Sequence, residues 1–84
     1  MAKLTTQAID IAKREAVAAM RRADNFTLDA YVCRWGNAGY ANFFFAGSPE
    51  AAEDYRSRAA KAEGKKLTIV AVVRREEGRM PECS

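Results

Sequence analysis

Eighty-four residues make one domain with a thin core, because a chain this short buries only roughly 60–65% of the surface its unfolded form exposes. An apolar fraction of 49% beside a charged fraction of 30% is that of a globular chain and argues against disorder. Fourteen Lys and Arg against eleven Asp and Glu give +3, which permits an anionic partner without the dense basic patch of a dedicated nucleic-acid binder.

The opening Met1-Ala2-Lys3-Leu4-Thr5-Thr6 lacks the apolar run of a secretory signal, and Asp10 and Glu15 are out of place in a transit peptide. No apolar run approaches the roughly 20 residues of a spanning helix. The expectation is a soluble, cytoplasmic protein that does not engage membranes.

A first helix is predicted from about Thr6 to Asp24, with Thr5 as N-cap and Asp24-Asn25 as its end. At 100° per residue, Ala8, Ile9, Ala12, Ala16, Ala19, Met20 and Ala23 fall on one face. That stripe is mostly alanine, so the helix can approach closely whatever it covers. Arg21-Arg22 sits in the last turn, where cations are favoured by the helix dipole alone.

Phe26 to Trp35 and Tyr40 to Ala46 alternate with period two and read as strands joined by the turn Gly36-Asn37-Ala38-Gly39. Closing the loop with Trp35 opposite Tyr40 pairs Cys33 with Asn42, Val32 with Phe43, Tyr31 with Phe44 and Ala30 with Phe45. This register sorts Phe26, Leu28, Ala30, Val32, Ala41, Phe43 and Phe45 onto one face. Asp29, Tyr31, Cys33, Trp35, Tyr40, Asn42 and Phe44 go to the other, and a slip of one residue would mix the sets. The literal G-x-x-G of the turn joins strands and carries no cation, so it is read as a hairpin turn and not as a phosphate clamp.

A second helix is marked by Ser48 at the N-cap, Pro49 in the first turn and Gly64 after the last. Its buried stripe is Ala52, Tyr55, Ala59 and Ala62. Leu67 to Val73 follows as a third strand, apolar on both faces, which points to an interior or well-covered place. The single α+β domain then spans 1–77, and 78–84 forms a flexible C-terminal tail.

These pieces predict a two-layer α+β fold in the order α-β-β-α-β. Its three-stranded, mainly antiparallel sheet carries both helices on one face, with the third strand beside the first in a split β-α-β unit. The opposite face is then open and holds Tyr31, Trp35, Tyr40 and Phe44, joined by Cys33, Val70 and Val72, with Asp29, Asn42, Thr68 and Arg74 around them. Four aromatics are more apolar surface than a small monomer normally leaves wet. Three arrangements satisfy it: the tail or a displaced helix covers the face, two copies stack as a homodimer, or a foreign partner docks there.

Chemistry is sparse. With no histidine, neither a Ser-His-Asp nor a Cys-His pair can form, and the commonest metal ligand is missing. Cys33 and Cys83 make no C-x-x-C and leave a bridge between them open, although a reduced state suits a cytoplasmic protein. No catalytic residue, metal, cofactor or small-molecule substrate is therefore expected. The leading expectation is a non-catalytic protein-binding module of inhibitor or adaptor type acting through Tyr31, Trp35, Tyr40, Phe44, Arg34 and Arg74. Small motif-free domains of this kind are common among phage and mobile-element counter-defence proteins, anti-CRISPR proteins included. The runner-up is an RNA- or DNA-binding protein stacking bases on the same rings. A partner's strand could also add to a sheet edge.

Overall fold

The computed structural model describes residues 3–23 and 27–79. Its elements are α1 (Thr6–Arg22), β1 (Asp29–Trp35), β2 (Asn42–Ala46), α2 (Pro49–Glu63), β3 (Leu67–Val73) and α3 (Arg75–Arg79). The fold is α+β on a three-stranded antiparallel sheet of order β2-β1-β3. Thr5 Oγ1 accepts from the Ala8 N–H at 3.1 Å and so starts α1 as expected. Ala12, Ala16 and Met20, spaced at i, i+4 and i+8, are its buried line. The helix ends at Arg22; Asp24, Asn25 and Phe26, expected to close it and to open the first strand, lie outside the described residues.

The hairpin has the predicted register, with Cys33 opposite Asn42, Val32 opposite Phe43, Tyr31 opposite Phe44 and Ala30 opposite Phe45. The ladder runs from Asp29–Ala46 to Cys33–Asn42 and does not reach Trp35 and Tyr40. The Trp35 carbonyl accepts from Ala38 N–H at 2.9 Å, while Gly36, at φ 51°, donates its N–H to Lys66 O at 2.7 Å. Arg34 Nε braces the same loop by donating to Ala38 O at 2.9 Å.

β3 lies on the other side of β1, antiparallel to it, so β2 and β3 run parallel with β1 between them, the split β-α-β unit. β3 is thus an edge strand, as its expected place beside β1 requires, and its apolar faces are covered from both sides. The register differs from a plain alternation at one point: Val32 pairs with Ala71 but Cys33 pairs with Ile69, leaving Val70 as the extra residue of a β-bulge. Val70 therefore packs with Ala71 against the α1 side, and Thr68 comes opposite Arg34; neither joins the Tyr31 face.

The helices take opposite faces. Ala12, Ala16 and Met20 of α1 cluster with Ala30, Val32 and Val73, flanked by Phe43 and Phe45. Ala52 of α2 clusters instead with Tyr31 and Ala46, flanked by Phe44 and Ile69. The expected two-layer arrangement, with both helices on one face, is thus replaced by helix, sheet, helix. Its physical cause is β1 itself: Asp29 through Cys33 are buried at every position regardless of parity, and a strand apolar on both sides needs cover on both sides.

α2 has the predicted signals, with Ser48 Oγ accepting from Ala51 N–H at 3.1 Å and Gly64 in the left-handed conformation at φ 67°. Ser48→Ala is expected to cost about 1 kcal/mol and to lower the melting temperature by roughly 4–8 °C, measurable by circular dichroism. Past β3 the chain makes one more short helix instead of entering a tail at Gly78. Glu77 Oε2 accepts from Arg74 N–H at 3.1 Å, the returning half of a capping box. The rest of the expected tail, residues 80–84 with Cys83, is outside the described residues.

Candidate functional site

The four expected aromatics do not share an open face. Tyr31 is only 5% exposed. Its ring stacks on Phe44 with centroids 5.7 Å apart and planes 17° apart. Phe44 also packs on Tyr55 of α2, with centroids 4.4 Å apart and planes 31° apart. The surface on which bases were expected to stack is therefore contacted by α2. Trp35 is half-buried, and Tyr40 stands exposed in the hairpin loop. Arg34 is the loop brace described above, and Arg74 is an exposed side chain with its Nε 4.0 Å from Asp29.

Asp29, expected only as polar framing, is the most engaged charge of the described chain. Its carboxylate is buried. Oδ1 accepts from Arg75 N–H at 2.7 Å and from Arg75 Nε at 3.1 Å, and Oδ2 accepts from Arg75 Nη2 at 3.2 Å. Nη2 also donates to Gly47 O at 2.9 Å. One guanidinium thus ties the start of β1, the start of α3 and the β2–α2 connection. Hydrogen bonding from the Arg75 side chain, aided by its N–H and by both arginine charges, holds the Asp29 carboxyl below the usual carboxylate range against the opposing effect of burial. Asp29 and Arg74 line a cavity of about 300 Å³ with Tyr31, Pro49 and Val72. Every part of this node is explained by holding the fold.

Cys33 is buried as a free thiol. Burial pushes its pKa up, which disfavours the thiolate a nucleophile needs. It behaves as a small apolar residue of β1.

A groove of about 540 Å³ runs between α1 and α3. Lys13, Arg14, Arg21 and Arg22 line it, with Val17, Ala18 and Val73 as apolar surface between them and Glu77 as the one acid among the described residues. Helix spacing builds it: positions 14, 18 and 22 follow one another at i, i+4 and i+8, beside 13, 17 and 21. The second wall comes from α3, absent from the sequence reading. Its one readable trace there is Glu77, which stands three residues after Arg74 as a capping box requires. Arg14 and Arg22 are exposed; the dipole accounts for cations at the end of α1, yet Lys13 and Arg14 lie mid-helix, where it does not.

No protein-family model, curated protein or solved structure matches this chain. Among the described residues, no helix is long and apolar enough to cross a membrane, and no three acidic or sulfur side chains gather as a set that could hold a metal ion.

Proposed function

We propose that this chain is a non-catalytic protein-binding module, of inhibitor or adaptor type, that receives an acidic, amphipathic segment of its partner in the α1–α3 groove. The observation that carries the reading is the composition of that groove, where Lys13, Arg14 and Arg22 stand around Val17, Ala18 and Val73 and Glu77 is the one acid among the described lining residues. Carboxylates of a partner would meet the rim, and apolar side chains between them would cover the floor. A nucleic-acid backbone would use the cations and leave the apolar floor idle, and among the described residues no ring lines the groove to stack a base. Counter-defence inhibitors fall within this class, since occupying an acidic segment of a larger machine needs no chemistry.

The test uses a labelled peptide alternating Glu or Asp with Leu, a polyglutamate of equal length, and a generic oligonucleotide. The mixed peptide should bind, polyglutamate more weakly. Arg14→Glu, at an exposed mid-helix position away from the dipole's reach, should weaken the mixed peptide by about tenfold, on the order of 1.4 kcal/mol, with an unchanged melting temperature. Oligonucleotide binding that is tighter than either peptide and falls steeply with salt would transfer the site to nucleic acid.

A further inference from the structure

We infer, resting on the groove reading above, that the partner segment received between α1 and α3 is an α-helix. It lies along α1 from Arg22 toward Ile11, with acids two turns apart on one edge and an apolar stripe between them.

The wall of the groove decides between a strand and a helix. Residues 13–18 lie inside α1, where each N–H and C=O bonds within its own helix. An extended segment pressed against them would find no backbone partner there and would have to keep its own polar groups in water. A helix carries its backbone bonds with it and can turn its apolar side to the floor. Ala18 favours the same outcome. It is exposed, and a side chain that small lets a second helix axis come within roughly 8–10 Å of α1.

The cations set the spacing. Arg14 and Arg22, both exposed, stand eight residues apart, about 12 Å along the axis. Acids about seven or eight residues apart in a partner helix span the same distance. Glu77 lines the opposite wall, its carboxylate already accepting from Arg74 N–H, so the partner's acids are turned away from α3 and toward α1. The apolar surface also reaches past the groove. Ile11 is 46% exposed and precedes Ala18 by seven residues, nearly two full turns, so the two stand on one side of α1. Ile11, Ala18 and Val17, with Arg14 and Arg22 beside them, are matched by a helix that presents anchors at i, i+3 and i+7.

The test uses the full chain and two labelled peptides of identical composition, built from Glu, Leu and Ala and about 18 residues long, enough for a helix to form. One places Leu at i, i+3 and i+7 and Glu two turns apart; the other alternates Leu with the remaining residues. The helical pattern should bind at least about tenfold more tightly, and circular dichroism should show the bound peptide to be helical. Ile11→Ser should weaken that peptide by about fivefold and leave the chain's melting temperature within roughly 4 °C of the native value. Equal or tighter binding of the alternating peptide, a bound peptide that is not helical, or an Ile11→Ser chain that binds as the native one does overturns the helix while the groove reading stands. Binding of neither peptide removes the groove reading, and the helix falls with it.

Discussion

Asp29→Ala is expected to cost about 3 kcal/mol, the lower end of the range for breaking a buried ion pair. The lower end applies because the Arg75 side chain is 30% exposed and can regain water when its partner is gone. The loss is large against the roughly 5–10 kcal/mol that holds a domain of this size, and it corresponds to a fall in melting temperature of about 12–24 °C. Asp29→Asn keeps the shape and should lose less. The acid dependence follows from the lowered carboxyl. A group whose folded pKa is depressed binds its proton more readily in the unfolded chain, so its stabilisation is complete above the unfolded value of about 3.9. It fades as pH falls below that and is gone once pH has dropped through the folded value. Melting temperatures at several pH values should show this decline in the native chain and a flatter acid limb in Asp29→Asn. Equal melting of Asp29→Ala and the native chain at pH 7 would show that the Arg75 contacts do not hold the fold.

That node marks the limit of what residue order reveals. Local signals were legible because each acts within a few residues: the caps Thr5 and Ser48, the stop at Gly64, and the alternation that set Val32 against Phe43. The place of β3 was legible too, since a helical crossover from β2 leaves few positions for the next strand. Asp29 and Arg75, in contrast, stand 46 residues apart, and nothing near either names the other. The bulge at Val70 was hidden because no glycine or proline marks it. The site was less legible than the fold. Tyr31, Phe44 and Trp35 were placed on the correct side of the sheet, but whether a helix covered them depends on α2, whose apolar stripe is short and whose surface is largely exposed. One signal did point to the answer. Both faces of the strands are apolar, and two helices on one side would have left half of that surface wet.

Ala52→Glu puts the placement of α2 to a direct test. Residue 52 is in the first turns of the helix, where the dipole favours acids and where Glu50 and Glu53 already stand exposed. On an uncovered helix face, glutamate there would be neutral or slightly stabilising. In this fold Ala52 is 1% exposed, clustered with Tyr31 and Ala46, and a carboxylate would be driven into apolar packing without a donor. The expected cost is about 3 kcal/mol or more, and the variant should melt at least roughly 12 °C lower. Ala51→Glu, one position away and exposed, should stay within about 0.5 kcal/mol of the native chain. The contrast between neighbours removes helix propensity and net charge from the comparison, because both variants change them alike. If the two variants melt together, α2 does not seal the Tyr31–Phe44 face. That face would then be open to a partner, and the aromatic surface, ahead of the α1–α3 groove, would become the first place to look for binding.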